Sequence, residues 1–458
     1  MHFQNPTDTI CALSTAAGVG AIALIRLSGK DSISIANKIF SKNLAAVDSH
    51  TAHFGKIKQG NDVLDEVVIT VYRNPKSFTG EDSVEIACHG SRYIQQEILK
   101  LLVEHGARLA GPGEFSLRAF MNGKMDLSQT EAVADLIMSG SKAAHKVAMH
   151  QMRGGFANEI NDLRQQLLNF ASLVELELDF SQEDVEFADR TQLEELIAKI
   201  KVKVNRLVDS FKIGNVIKHG VPVAIVGAPN AGKSTLLNAL LNEEKAIVSD
   251  IAGTTRDVIE DTMIIDGIEF RFIDTAGIRE TTDRIEIMGI ERSYEQIRKA
   301  SVVLLLFDLK NQSESDIVNQ LQGFKNTSIA DDQILVAVFN KCDEMDLSKF
   351  EKLKDQGIFI SAKNQLHLDL LKHELLKSMQ DFSMTQDQLI VTNVRHYEIL
   401  QKCKISLVKI EEGMQLQIPG DLLAMDIRET LYHLGEITGT ITNDELLGNI
   451  FSKFCIGK

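Results

Sequence analysis

The stretch from Val221 to Asp257 constrains this chain more than any other. It opens VPVAIVGAPNAGKSTLLNALL and closes SDIAGTTRD. Val223 to Val226 is a run of apolar residues ending on Gly227, which predicts a buried strand. Gly227-Ala228-Pro229-Asn230-Ala231-Gly232-Lys233-Ser234 then fits G-x-x-x-x-G-K-[ST]. Leu236, Leu237, Leu240 and Leu241 give the next segment one apolar helical side. Strand, glycine loop and helix in that order form the context a phosphate-binding loop requires. Its backbone N–H groups and the helix N-terminus hold an anion. In such a loop Lys233 reaches the β- and γ-phosphates and Ser234 ligates Mg2+. Asn230, Ala231, Gly232 and Thr235 complete the nucleotide-contacting set.

A chain of 458 residues is too long for one ordinary core, so about two to four domains are expected. With 44% hydrophobic and 25% charged residues it reads as globular. The longest run of large apolar side chains, Val302 to Phe307, is far short of a membrane span. The start, MHFQNPTDTI, has no basic block or apolar core of a signal peptide, so a cytoplasmic location is expected. The cysteines at 11, 88, 342, 403 and 455 form no C-x-x-C, which argues against a structural zinc site and a disulfide framework. The net charge of −15 makes the chain a poor polyanion binder as a whole. A nucleic-acid substrate would need a local basic patch or a partner protein.

The first 125 or so residues mix strand-like runs (Gly20 to Leu27, Glu66 to Tyr72) with a helical one (Tyr93 to Glu104), predicting an α+β domain. Three polar residues stand out. Arg26 interrupts an apolar strand, Glu85 sits between Val84 and Ile86 ahead of Cys88-His89-Gly90, and Lys124 follows Asn122-Gly123. Taken singly, each reads as a solvated strand face or turn.

From Leu127 to Phe211 the period becomes helical. Leu163, Leu167, Phe170, Val174 and Leu178 recur at steps of three and four, as do Leu193, Ile197, Ile200, Val204, Leu207 and Phe211. The acidic SQEDVEFADR lies between the two runs. The helical pattern returns after residue 380, where Leu423, Ile427, Leu431 and Leu434 share a face. Both flanks together predict a helical bundle with the nucleotide domain inserted between them. That domain, residues 219–379, has strand candidates at 222–227, 269–274, 302–308, 334–340 and 358–361, alternating with helices. The pattern predicts a three-layer α/β sheet, mainly parallel, with its working loops beyond the carboxyl ends of the strands.

Those loops carry an ordered set. Asp274-Thr275-Ala276-Gly277 follows the second strand, where the aspartate holds Mg2+ through water and the glycine N–H senses the γ-phosphate. Thr255, in the Ser249-Asp250-Ile251-Ala252-Gly253-Thr254-Thr255 segment, is placed to complete the Mg2+ shell. Asn340-Lys341-Cys342-Asp343 ends another strand, and Asp343 can accept from guanine N1–H and N2–H2, donors adenine lacks. Ser361-Ala362-Lys363 supplies a backbone contact to guanine O6. Together these motifs specify a P-loop GTPase. Water activation is less plain. Ras-like GTPases use a Gln just after D-x-x-G, and here Ile278 stands in that place. Asp283, Glu286 and Glu291 follow downstream, and spacing does not choose among them. The positive charge an arginine finger supplies could come from Arg256, Arg279 or Arg284. It could also come from a monovalent cation held by the Asn230 side chain and backbone carbonyls of Ser249 to Thr254.

At this point the chain resembles the tRNA modification GTPase family MnmE, also called TrmE, over essentially its whole length. The resemblance is carried by DTICALSTAAGVGAIALIRLSG, SFTGEDSVEIACHG, GPGEFSLRAFMNGKMDLSQTEAVADLI, GAPNAGKST, DIAGTTRD, DTAGIRETTDRIEIMGIER, NKCD and the terminal FCIGK. It implies that residues 1–121 form a dimerising domain that binds a 5-formyltetrahydrofolate-like or methylene-tetrahydrofolate molecule through Arg26, Glu85, Lys124 and Lys458. It implies K+ on Asn230, Ser249, Ile251 and Thr254, Mg2+ on Ser234 and Thr255, and Glu286 as the residue that orients water. Cys455 is the family cysteine suspected of direct chemistry. The helical parts would span 122–218 and 380–458. A homodimer would work with the FAD-containing MnmG (GidA) in a heterotetramer, placing an aminomethyl or carboxymethylaminomethyl group on C5 of wobble uridine 34 of certain tRNAs. This chain has Ser249 where the family has Thr, and Gly90-Ser91 where Gly-Gly is usual. The alternative is a ribosome-assembly or signalling switch. It would leave Arg26, Glu85, Lys124 and FCIGK without a common purpose, and no basic RNA-binding appendage is visible.

Overall fold

The structure is a computed structural model that describes residues 8–179, 190–242, 261–273, 297–330, 333–379 and 389–457. It divides into two compact units, one of Met1–Met138, Ala148–Arg206 and Glu398–Lys458, the other of Ser139–Val147 and Leu207–Tyr397.

The first unit begins with a sheet of β1 (Ile10–Leu13), β2 (Ile22–Ser28), β3 (Thr51–Gln59), β4 (Asp62–Tyr72), β5 (Ser83–His89) and β6 (Arg108–Leu109), in the order β3-β4-β5-β2-β1-β6. All neighbours are antiparallel except β1 and β6. Side chains alternate along these strands. Ile25, Leu27, Ile69, Val71, Val84 and Ile86 are buried on one face, together with Ile35 and Ile39 of α1 (Ser32–Ile39) and Ile98 and Leu102 of α2 (Arg92–Glu104). Arg26 and Glu85 are register partners, and Thr70 faces Glu85 from the other side, so all three lie on the opposite face. The sequence reading found β2 and β4 but not β1, β3 or β5. β3, for example, interleaves Gly55, Lys56 and Lys58 among its apolar residues and carries no clean period.

Four helices follow: α3 (Glu114–Met121), α4 (Leu127–Met138), α5 (Lys142–Met152) and α6 (Gly155–Asp179). Next comes α7 (Arg190–His219). The stripes behave as their spacing predicts. Leu163, Leu167, Phe170 and Val174 are buried on α6, and Leu193, Ile197, Ile200, Val204 and Leu207 on α7. Phe211 instead stacks on Tyr397 at a centroid distance of 4.3 Å.

In the second unit β7 (Val221–Gly227), α8 (Lys233–Asn242), β8 (Asp261–Ile265), β9 (Ile268–Phe272), β10 (Val302–Asp308), α9 (Glu314–Ser328), β11 (Ile334–Asn340), β12 (Ile358–Ile360) and α10 (Leu368–Lys377) build an open sheet of order β12-β11-β10-β7-β9-β8. It is parallel throughout except for the edge strand β8, which sequence reasoning did not find. β10 is buried at every position, as its unbroken apolar run requires. The chain then returns to the first unit through α11 (Val394–Gln415), α12 (Gly420–Thr438) and α13 (Asp444–Phe451). α12 packs along α6, and its Leu423, Ile427, Leu431 and Leu434 are buried.

The end of the chain docks on the N-terminal sheet domain. Phe451 and Leu447 pack with Leu117 and Leu127. The Gly113 N–H donates to the Cys455 carbonyl at 3.3 Å, and Ser14 Oγ donates to the Gly457 carbonyl at 3.2 Å. Gly113 has φ +65, and a Cβ there would lie 2.7 Å from the Phe451 carbonyl oxygen, so glycine is required at this junction.

A buried charge cluster fixes the loop that receives this tail. Glu114 accepts from Arg108 Nη2 at 2.6 Å, from Arg118 Nη2 at 3.2 Å and from the Gly111 N–H at 2.8 Å. Arg118 also donates to the Asp8 carboxylate at 2.5 Å and reaches Glu81 at 3.3 Å. Burial alone would raise the Glu114 pKa, but the bonds from Arg108 and Gly111 outweigh it and hold the carboxyl below its ordinary range. A depressed carboxylate contributes stability above its unfolded pKa, and that stability is lost as pH falls through the folded value. Glu114→Gln is therefore expected to lower the opening free energy of β1 and β6 amides by on the order of 3 kcal/mol at pH 7, measured by hydrogen exchange on the full chain. The gap should close as pH falls through the depressed pKa of Glu114, below the ordinary carboxylate range. A deficit that persists unchanged at acid pH would contradict this reading.

Candidate functional site

Sheet order reverses between β7 and β10. From β7 the chain moves to β8 and β9 on one side, then crosses to β10 on the other. A crevice outside the carboxyl ends of the strands is the expected ligand position at such a switch point. The loop from Gly227 to Gly232 leaves β7 there and runs into α8, whose first residue is Lys233. Two backbone positions shape it. Asn230 has φ 63 and Gly232 has φ +100. A Cβ on Gly232 would stand 2.3 Å from Asn340 Nδ2, so no larger residue fits. Lys233 Nζ donates to the carbonyls of Gly227 at 2.8 Å and Ala228 at 3.0 Å. Burial lowers the pKa of its ammonium. Ser234 lies in the first turn of α8 and its hydroxyl makes no hydrogen bond among the described residues, while Thr235 beside it is exposed.

Asn340, at the end of β11, joins this loop to the loop after β12. Its buried amide donates from Nδ2 to the Ala231 carbonyl at 2.8 Å and accepts at Oδ1 from the Ala362 N–H at 3.0 Å. Lys341 follows in the left-handed region at φ 68. Its Nζ donates to the Asn230 carbonyl at 3.2 Å and to Asp308 Oδ2 at 2.6 Å. Successive residues of the N-K-x-D motif thus hold successive carbonyls of the phosphate loop. Asp308 closes β10 and was not singled out in the sequence. The signal was there, as a single acid ending the run VVLLLFD. Burial would raise its pKa. The bonds from Lys341, the Lys310 N–H and Asn311 outweigh that and keep it below the ordinary range.

Asp343 is exposed, and its carboxylate accepts from Asn364 Nδ2 at 2.7 Å. The Asn364 N–H donates to Ser361 Oγ at 3.2 Å, so a residue absent from the sequence reading orients both motifs. The Ala362 N–H is committed to Asn340, and Lys363 beside it is exposed. The structure therefore brings Asn230, Ala231, Gly232, Lys233 and Ser234 to one end of the sheet with Asn340, Lys341, Asp343, Ser361, Ala362 and Lys363. Ser249 to Thr255, Asp274 to Gly277, Glu286, the three arginine candidates and Lys458 lie outside the described residues.

On the open face of the N-terminal sheet, Arg26 Nε and Nη2 both donate to Glu85 Oε1, at 2.9 and 2.8 Å. The Tyr72 hydroxyl donates to Glu85 Oε2 at 3.3 Å. The Arg26 guanidinium lies over the rings of Phe78 and Phe115, at 5.3 and 5.8 Å. Lys124 Nζ donates to the Pro75 carbonyl at 3.0 Å, on the same loop that supplies Phe78. Cys455 is exposed on the docked tail.

Comparison with known proteins bears on both sites. Residues 127–455 match the family model described as MnmE helical domain, and residues 9–124 match that described as GTP-binding protein TrmE N-terminus. The tRNA modification GTPase MnmE of Cytophaga hutchinsonii is 56% identical, over 99% of this chain and 98% of the relative. Its namesake in Flavobacterium johnsoniae is 54% identical, over 98% and 99%. The solved G domain of the T. maritima FeoB iron transporter is similar to 35% of this chain and 99% of its own, at 24% identity and a TM-score of 0.25, too weak a likeness to add to the argument. Near-complete coverage by such relatives, together with the two family models, shows that the chain belongs to the MnmE (TrmE) family of tRNA modification GTPases.

Proposed function

We propose that this chain hydrolyses GTP with K+ as the activating cation. That cycle would be coupled to building a carboxymethylaminomethyl or aminomethyl group on C5 of the wobble uridine of certain tRNAs. The observation that carries the nucleotide half is the bridge from Asn340 to Ala231 and Ala362, which sets a phosphate loop and a guanine-selective loop at a fixed spacing. Asp343, oriented by Asn364, accepts the two donors on the guanine edge. Adenine offers none there, and an unpaired partner in such a site costs several powers of ten in affinity. Lys233, with two of its three protons on loop carbonyls, keeps one for a phosphate oxygen, and a bound anion offsets its desolvation.

The residues present fit the implied ions. Ser234 offers an unengaged hydroxyl on the first turn of α8, a hard oxygen suited to Mg2+. Asn230 presents an exposed side chain while Lys341 holds its carbonyl, which suits K+ with Ser249, Ile251 and Thr254 as the other ligands. Thr255 would join Ser234 at Mg2+, and Glu286 would orient the attacking water. K+ would supply the positive charge an arginine finger brings elsewhere.

The domains proposed are 1–121, 122–218, 219–379 and 380–458. On the first, Glu85 keeps acceptor capacity and Arg26 keeps Nη1 unbonded among the described residues, above two aromatic rings. That arrangement suits the amide and amine edge of a flat heterocycle, and supports a reduced folate as one-carbon donor held by Arg26, Glu85, Lys124 and Lys458. Cys455, its backbone fixed by Gly113 and its thiol exposed, is the candidate nucleophile toward C6 of the uridine. The working assembly would be a homodimer joined to the FAD protein MnmG in the cytoplasm.

GTP hydrolysis by the purified chain is expected to run much faster in K+ than in Na+ at equal ionic strength, and equal rates would remove the cation. In cells lacking this chain, nucleoside analysis should show wobble uridine without its C5 substituent. Wild-type chain should restore it and Glu286→Ala should not; restoration by that variant would reassign the water-orienting role.

A further inference from the structure

α5 is the exception in an acidic chain. Acids number 64 in 458 residues, about one in seven, yet none occurs between Asp135 and Glu159. That window holds Lys142, His145, Lys146, His150 and Arg153, all exposed. At 100° per residue the four in α5 fall on one side of the helix, and Arg153 follows in the turn after it. The other side carries Val147, Ala148 and Gln151, all buried. Val147 packs against Ile217 and Ile390 in one core cluster, with Ala143 and Ala144 partly buried beside it. The helix is therefore seated by its small apolar side and turns Lys142, Lys146 and two histidines outward, with Arg153 just past its end. Surface lysines elsewhere in the chain commonly face a carboxylate, as Lys203 faces Glu159 and Lys409 faces Glu429. None of these five has an ion-pair partner among the described residues. Two acids flank the start of the segment: the half-buried Glu269, whose carboxylate abuts Gly140, and the exposed Asp266, which precedes the Gly267 that lies against Lys142.

We propose that this face binds the phosphate backbone of tRNA, which deepens the tRNA reading above and rests on it. The row from Lys142 to Arg153 rises about 16 Å, enough to follow several consecutive phosphates. Compact cations on flexible stems suit backbone contacts that fix position without reading sequence. A polyanion is the occupant that charge complementarity favours. In a chain of net charge −15, a helix face that carries no acid of its own stands against the overall balance.

The test uses the full chain, total bacterial tRNA as the bound RNA, and a KCl series. The triple variant Lys142→Gln/Lys146→Gln/Arg153→Gln should bind tRNA at least tenfold more weakly. The slope of log affinity against log salt should fall by roughly 2–3, near one per lost phosphate contact. GTP affinity and tRNA-free hydrolysis should be unchanged, and the matching change of both lysines to Arg should keep wild-type binding. Unchanged tRNA affinity and slope in the Gln variant would overturn the inference while leaving the tRNA reading intact, and would give this face to an acidic protein surface. Absence of tRNA binding by the wild-type chain even at low salt would overturn both.

Discussion

The Asn340 side chain is a buried amide whose two ends face two different loops. One end donates to a carbonyl of the phosphate loop, and the other accepts from the N–H that opens the base-side loop. Leaving either end of a group this buried unpaired would cost on the order of 1–3 kcal/mol. The amide therefore fixes the spacing between the two loops as firmly as a backbone ladder fixes neighbouring strands. Gly232 is glycine because this amide passes so close to it. Lys341 continues the same connection one residue on, and Asp308 keeps Lys341 from swinging away. A parallel sheet delivers four loop ends to one edge. This small set of bonds turns them into a single rigid frame with the exposed Asp343 and Asn230 at its rim.

The other unit solves a different problem, which is to hold a chain terminus against a sheet domain from which it is far removed in sequence. The loop at Gly111 and Gly113 receives the tail, and the carboxylate of Glu114, two arginines and Asp8 hold that loop. Buried charges of both signs satisfy one another there, so the desolvation penalty is met by several short bonds at once. Across the sheet, Arg26 and Glu85 use the same chemistry more openly. They are bonded to each other, backed by rings, and still in contact with solvent. One pairing locks a fold, while the other leaves hydrogen-bonding capacity for a ligand.

Much of this was legible in the sequence. The phosphate loop, the five parallel strands and the helical stripes follow from apolar period and glycine placement, which act locally. Tertiary pairing was not legible. Asp308 and Asn364 lie outside the motifs, Glu114 lies inside GPGEFSLRAF without a role read for it, and the roles of all three arise from which segments the topology brings together. The edge strand β8 and strands β1 and β3 are short or broken by glycine and lysine, so period alone did not mark them. The basic face of α5 was overlooked for another reason. Bulk charge described the whole chain as acidic, and only the fold shows that Lys142 and Lys146 share an exposed side with two histidines, next to Arg153.

The central claim is that Asn340 mechanically joins phosphate grip to base grip. Replacing it by Ala and following amide exchange at Ala362 alongside GTP affinity tests that most directly. The account predicts that Ala362 loses protection by tenfold or more, that GTP binding weakens by at least the same factor, and that the amides of β12 hold. Undiminished GTP affinity in a variant whose Ala362 amide has become unprotected would contradict it, because the two loops would then keep their spacing without the amide between them.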